Sequence, residues 1–427
     1  MKVERFSAPK GTRDVLPPES DRWAELVVGF AGQVGRAGYG LLVSPMFEDV
    51  GVFARMGEGT DVVRKEMYEF EDRGGRRMAL RPEGTASAVR AWVQHRPPLP
   101  WKVWYVAPNF RYEAPQAGRY RQHHQLGVEL LGVDDPDADV EVIVLLWEFL
   151  CSLGLQDLEL VVNTMGTPED RGRYAARLSR WLAERAESLD PEDRQKIDTH
   201  PLRVLDSKRP ATVAATREAP ALVDAVSAES RRRFERVLEG LTGAGVPHRV
   251  DPRLVRGLDY YTHTTFEIRS AALDAAQNTL GGGGRYDGLV EALGGPPTPG
   301  LGFGCGVERV LLACDREGVF PCPERRLDAF VVDVVDGSAA REITLRLRKA
   351  GFSVDRAWGG RSMKSQMRAA DRSGARVAVI VGEDEASSGE VTLRDLRSDG
   401  GAVQKRIARS ELESELGAWI GRSREVG

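Results

Sequence analysis

Apolar positions along the first 150 residues alternate between two periods. Between residues 19 and 37, Trp23, Leu26, Val27, Phe30 and Val34 recur at helical spacing behind Pro17 and Pro18, a pair that suits a helix entry. After the glycines at 38 and 40, LLVSPMFED predicts a strand. It meets Pro45, which a ladder tolerates mainly at an edge or bulge. RRMALRPEGTASAVRAWV predicts a short strand, a Pro-Glu-Gly-Thr turn and a helix whose first turn holds Glu83 and Thr85. WKVWYVAPNFRYE and HHQLGVELLGV are two β-rich runs separated by the polar APQAGRYRQ, which predicts an antiparallel pair joined by a long loop. A helix is expected from about 136 to 153 and a strand around 157 to 163.

From about 168 to 248 the texture changes. The segment is charged and rich in Ala and Arg, with helical spacing in RYAARLSRWLAERA and SRRRFERVLEGL, so it reads as a helical insertion between two β-rich blocks. The β pattern returns near 253 with RGLDYYTHTTFEI, then NTLGGGGRYDGLVEALGG, and then GLGFGCGVERVLLACD, a glycine-rich strand running into a helix. DREGVFPCPERRL has the composition of a linker. Beyond it, LDAFVVDV, GFSVDRA and RVAVIVG alternate with helical stretches and predict a small α/β domain. The expected organisation is a core domain over 1–325, the helical insertion at 168–248 within it, and an α/β domain over 328–427. The fold class is α+β, an antiparallel sheet flanked by helices.

Composition narrows the chemistry. The chain has 427 residues, 41% hydrophobic and 29% charged, enough for a large core and more than one domain. A net charge of -4 rules out general basicity as the route to nucleic acid, so any such contact must use a local patch. Six basic residues between Arg356 and Arg376, with the single acid Asp371, supply one. The four cysteines form no CxxC pair, which fits reduced thiols better than disulfides or a zinc site. The charged start lacks the apolar stretch of a secretory signal, and EVIVLLWEFLCSLGL is too short to span a bilayer, so a cytoplasmic protein without a membrane span is expected. There is no GxxxxGK[ST] and no HExxH, and the GGGG at 281–284 is not followed by a dinucleotide-binding helix.

What remains is charge at the ends of β runs. Arg111 and Glu113 take alternate positions of one run, and Gln125 and Glu129 share a face of the next. Arg119 and Arg121 flank Tyr120 in the loop between them. Arg256 stands at a strand mouth, and Arg309 opens the helix after the glycine-rich strand. Guanidinium forks around carboxylates suit an anionic substrate with an amine-bearing partner, and ATP plus an amino acid meets both needs.

PMFE with its preceding helix, FRYE with its loop and GVELLG strand, and GFGCGVERVLL resemble the three signature motifs of class II aminoacyl-tRNA synthetases. LRPEGTASAVR, RYRQHHQLGVELLG, LVRGLDYYTHTTFE and GGGGRYDGLVEALGG resemble the histidyl-tRNA synthetase family, across essentially the whole chain. That resemblance implies activation of L-histidine by ATP to histidyl-adenylate, then transfer to the terminal adenosine of tRNA(His). It implies Arg111 and Arg256 on the α-phosphate, with Arg256 also beside histidine and helping with work that other class II synthetases assign to a metal. Arg309 is implied on the ATP, Glu113 on the adenine amino group, and Arg119 or Arg121 on the distal phosphates. Glu83, Thr85 and Gln125 would take the histidine ammonium, and Glu129 and Tyr261 would bracket its imidazole with Tyr260 as second wall. Mg2+ would accompany ATP, with no protein metal cage.

The resemblance further implies a homodimer through the Pro45 segment, and an anticodon-binding role for the terminal domain with Arg361, Lys364 and Arg368 facing tRNA. The rival reading is a histidine-binding regulatory paralogue of an ATP phosphoribosyltransferase that charges no tRNA. A synthetase for threonine, proline, glycine or serine would share the third motif, but RGLDYYT and GGGGRYDG speak against it. Cys305 stands inside that motif where a small residue is usual.

Overall fold

The computed structural model describes residues 6–55, 65–205, 207, 209–254, 260–274, 277–323, 327–397 and 403–424. The chain divides into two compact units, Met1–Cys322 and Pro323–Gly427. In the first, the strands are β1 (Gly40–Leu41), β2 (Phe47–Asp49), β3 (Tyr68–Glu71), β4 (Arg77–Leu80), β5 (Trp101–Phe110), β6 (Gln122–Leu131), β7 (Leu158–Thr164), β8 (His248–Val250), β9 (Thr262–Ser270), β10 (Thr279–Arg285) and β11 (Gly300–Gly306). Eight of them form one sheet in the order β1-β5-β6-β11-β10-β9-β7-β8, and β2-β4-β3 form a small second sheet. The outer pairs β1–β5 and β7–β8 are parallel and the pairs between them are antiparallel.

Period-two alternation gives the large sheet two unlike faces. Leu126, Val128 and Leu130 of β6, Leu301, Phe303 and Cys305 of β11, and Phe266 and Ile268 of β9 join the main core. Against them lie Phe30 and Val34 of the helix Glu19–Arg36 and Val142, Leu146 and Phe149 of the helix Pro136–Ser152. Each such side chain contributes roughly 1.5–3 kcal/mol by leaving water. Asp135 caps the second helix by accepting from the Asp137 N–H at 3.0 Å.

The opposite face carries Gln125, Gly127 and Glu129 of β6, paired with Gly306, Gly304 and Gly302 of β11, which continue into Gly282 and Gly284 of β10. This face is a glycine trough with polar side chains along one rim.

The insertion is helical, as its texture predicts. Helix Pro168–Ala183 and the shorter turns after it surround a core of Tyr174, Leu178, Leu182 and Val204, while Phe234, Val237 and Leu241 of the helix Ala228–Gly243 join the main core. Thr167 and Asp170 form a capping box at the first of these helices.

Two local expectations are corrected. LLVSPMFED is two strands in two sheets, β1 and β2, interrupted at 42–46. Pro45 has no N–H to continue a ladder, and Leu42 makes the last bond, to the Trp104 carbonyl at 2.8 Å. Arg111 and Glu113 lie beyond the end of β5. The Arg111 N–H still bonds to the Arg121 carbonyl, but the next N–H, of Tyr112, turns away to Glu66.

The second unit has a five-stranded sheet of β12 (Ala329–Asp333), β13 (Val354–Arg356), β14 (Val377–Val381), β15 (Glu390–Asp395) and β16 (Gln404–Ala408), in the order β13-β12-β14-β15-β16. Its first three strands are parallel and its last two antiparallel.

Candidate active site

A turn, a strand and three tyrosines build the first half of the site. Glu83 is buried and accepts from the N–H groups of Thr85 at 2.7 Å and Ala86 at 2.8 Å, so its carboxylate caps the helix Thr85–His95. Thr85 in turn donates its hydroxyl to Oε1 of Glu129 at 2.7 Å. Glu129 is fully buried and takes two more hydroxyls, from Tyr105 on Oε1 at 3.0 Å and Tyr286 on Oε2 at 2.5 Å. Burial pushes its carboxyl up to about 8 against the pull of those donors. Burial also raises Glu83, opposed by its backbone bonds and by the positive Arg111. Two carboxyl groups held in a dry pocket await a cationic or N–H-bearing partner.

Close packing explains the glycines here. A Cβ on Gly302 would lie 2.0 Å from Oε2 of Glu129, and one on Gly84 or Gly127 would strike the Tyr105 ring. Tyr260 closes the side of the pocket, its ring 4.8 Å from Tyr261 and 5.9 Å from Tyr286. Burial, then the neighbouring Tyr261, Glu83 and Glu129, hold its phenol well above the ordinary value. Gln125 accepts from the Asn109 amide at 2.7 Å on the same face.

The second half is a concentration of positive charge. The Arg309 guanidinium is brought down from its ordinary value by burial and then by Arg119 and Arg111, with Glu113 acting the other way. It is tethered through carbonyls, donating to Thr279 at 3.0 Å and Gly118 at 3.4 Å. Arg111 donates Nε to the Pro82 carbonyl at 2.9 Å, beside the Glu83 turn. Arg119 pairs with Glu113 at 2.7 Å, and Arg111 approaches the same carboxylate to 4.0 Å. Three guanidinium groups thus share one neighbouring carboxylate. His123, on the same face of β6 as Gln125, lies among them. Burial, then Arg111 and Arg309, holds its imidazole well below the ordinary value.

Not every residue picked from the sequence enters this cluster. The Arg121 guanidinium lies over the Tyr112 ring at 3.8 Å and donates to the Glu113 carbonyl. The Tyr261 ring packs into the core of the insertion. Arg256 and Asp259 lie outside the described residues. In the second unit Arg361, Lys364 and Arg368 are exposed, the latter two one turn apart on the helix Met363–Arg372.

Tyr105, Tyr286, His123 and Asn109 were not singled out from the sequence as site residues. Alternation along WKVWYVAPNF puts Tyr105 and Asn109 on one face, and Tyr286 sits in GGGGRYDG, so the signals were there without an address. His124 bonds to Glu308 through Nδ1 at 3.0 Å and meets Trp23 edge-on.

An antiparallel sheet with a hairpin loop reaching over it, and a glycine-rich strand running into an arginine-bearing helix, define the class II aminoacyl-tRNA synthetases. A family model described as histidyl-tRNA synthetase matches residues 11–310, and one described as an anticodon binding domain matches 328–419. A histidine–tRNA ligase of Parasynechococcus marenigrum (strain WH8102) is 47% identical over 411 residues, 93% of this chain and 95% of its own. One of Rhodococcus erythropolis (strain PR4 / NBRC 100887) is 46% identical over 425 residues, 98% of this chain and 99% of its own. The solved apo histidyl-tRNA synthetase of S. aureus superposes with a TM-score of 0.82 at 33% identity, covering 96% of this chain and 100% of that one. The chain belongs to the histidyl-tRNA synthetase family.

Proposed function

We propose that the chain is a histidine–tRNA ligase whose two half-sites hold the two reactants of adenylate formation side by side. The histidine carboxylate attacks the α-phosphorus of ATP and pyrophosphate leaves. A ribose hydroxyl of the terminal adenosine of tRNA(His) then attacks the carbonyl of histidyl-adenylate and AMP leaves. Negative charge grows on the phosphate in the first step, and positioned cations in a dry site stabilise it most. Arg111 would bridge the α-phosphate and the histidine carboxylate, with Arg256 on the opposite side. Arg309 would lie on the nucleotide, Glu113 would accept from the adenine amino group, and Arg119 would reach the distal phosphates. Arg121, occupied with Tyr112, would brace the loop.

The histidine ammonium would face Glu83, Thr85 and Gln125, and its imidazole would meet Glu129 beside the Tyr260 wall, with Tyr261 packed behind that wall. A pocket of buried polar groups rejects side chains that leave them unpaired, by a large factor. The carrying observation is that Arg111 stands between the two halves: it donates to the Pro82 carbonyl beside Glu83 at 2.9 Å and approaches Glu113 of the cation cluster to 4.0 Å. Histidine-dependent exchange of pyrophosphate into ATP tests the reading. A chain that binds histidine without exchange would be the regulatory paralogue instead.

Mg2+ would arrive with ATP and screen its phosphates. Among the described residues no three His, Cys, Asp or Glu side chains gather to hold a metal. Homodimer formation through the Pro45 segment is supported by exposed Leu41, Val43, Met46 and Phe47. Sedimentation as a stable active monomer would end that proposal. Among the described residues no helix is long and apolar enough to cross a membrane, and a role in protein synthesis would suit the cytoplasm. The exposed Arg361, Lys364 and Arg368 would face tRNA.

A further inference from the structure

The tyrosines beside the pocket are attached to the helical insertion as much as to the sheet. Tyr261 is buried with Tyr174, Leu178 and Leu182 of the insertion, and its carbonyl accepts from Nη1 of Arg171 on the helix Pro168–Ala183 at 2.9 Å. Tyr260, its neighbour, packs against that core and also against the separate cluster containing Tyr286, Ala86 and Leu131. The side chain that walls the pocket therefore sits where two cores meet.

The insertion reaches the chain on the other side of residues 255–259 as well. Arg253 donates to the Thr216 hydroxyl at 3.2 Å and toward the Leu205 carbonyl at 3.4 Å, both in the insertion. The sheet holds the next residue through the Asn163 amide on the Leu254 carbonyl at 3.1 Å. After the tyrosines, His263 exchanges backbone bonds with Met165 and Gly166 at the root of the insertion, at 2.6 and 2.8 Å.

We propose that the insertion sets the position of the tyrosine wall of the histidine pocket, with Arg171 as the positioning residue that fixes the Tyr261 carbonyl and, through it, Tyr260 over Glu83 and Glu129. The inference rests on the reading of that pocket as the histidine site. A charged donor on a buried carbonyl is among the stronger hydrogen bonds, and its loss frees the backbone at the point where the wall turns into the pocket. Because the arginine cluster is anchored to other segments, through Pro82, Gly118 and Thr279, ATP binding should be indifferent to Arg171.

The test is histidine-dependent pyrophosphate exchange on the full chain carrying Arg171→Ala or Arg171→Lys. Arg171→Ala should raise KM for histidine about tenfold. KM for ATP should stay within about twofold, a split that a general loss of structure would not give. Arg171→Lys, which keeps a charged donor, should recover part of the loss. Tyr174→Phe removes the bond from the Tyr174 hydroxyl to the Pro220 carbonyl in the same insertion, and should lower the melting temperature without moving KM for histidine. A folded Arg171→Ala with native KM for histidine, or with both KM values raised alike, overturns the proposal. Should that variant fail to fold, a native histidine KM in Arg171→Lys overturns it, and an intermediate one supports it. Absence of histidine-dependent exchange in the unsubstituted chain would strike the functional reading beneath it instead.

Discussion

Replacing Glu129 by Gln separates the charge of this carboxyl group from its shape. Its two oxygens accept three hydroxyls, two on Oε1 and one on Oε2. In the amide one oxygen remains. If it keeps Thr85 and Tyr105, the Tyr286 hydroxyl must turn to the Leu301 carbonyl, already 3.4 Å away. The fold should lose no more than about 1 kcal/mol, the usual net worth of one neutral hydrogen bond. Histidine should lose far more, because an imidazole that draws this carboxyl group into its charged form on binding and donates to it in a dry pocket makes a bond worth about 1.5–3 kcal/mol. That range corresponds to roughly a ten- to hundredfold rise in KM for histidine. Pyrophosphate exchange with each substrate varied in turn reads it. A histidine KM within about threefold of the original, or an equal rise for ATP, would refute the assignment of Glu129 to the imidazole.

The same substitution carries a pH signature. The carboxyl of Glu129 is raised from an ordinary 4.5 to about 8, so folding favours its neutral form. The stability contributed by that form is complete below the ordinary carboxylate range and is lost as pH rises through about 8. Melting temperatures at acidic, neutral and alkaline pH should show the original chain losing ground to Glu129→Gln across that window. Parallel curves would show that the raised value is wrong.

Further outcomes follow from the same geometry. Arg309→Met removes a half-buried cation from beside Arg119 and Arg111, so melting without ligand should hold or rise while the KM for ATP climbs at least about tenfold in exchange assays. Gly302→Ala drives a methyl group against Oε2 of Glu129 and should cost about 1–3 kcal/mol in chemical denaturation, together with histidine affinity. Charge reversal at Arg361 and Lys364 should leave exchange intact while weakening aminoacylation at low tRNA and lowering its salt slope by about one per contact removed.

Much of the architecture is legible in local pattern. The helix Glu19–Arg36 follows its apolar spacing, the β5–β6 hairpin follows its two runs and polar loop, and the insertion shows as a change of texture at Pro168. What local pattern cannot supply is the partner across the fold. Tyr105 and Tyr286 meet Glu129 from 24 and 157 residues away, and neither stretch says that the tyrosine points at a carboxylate. Arg119 and Arg121 look alike in GRYRQ, yet one joins the cation cluster and the other lies on Tyr112, because successive loop residues need not share a side. The glycines at 281–284, with no dinucleotide-binding helix behind them, carry no role that local pattern can assign. Their meaning becomes clear only when β11 brings Gly302 and Gly304 beside them.

That bare trough also limits how the enzyme can be repurposed. A protein engineer seeking a different amino acid would ordinarily reshape the base of a cavity one residue at a time. Here much of the base is main chain, and the Gly302 position has no room for even a methyl group. New selectivity would therefore have to come from the surrounding walls. Those are supplied by segments distant along the polypeptide, so a useful change demands several coordinated replacements, and intermediates carrying only one would bind neither the old guest nor the new.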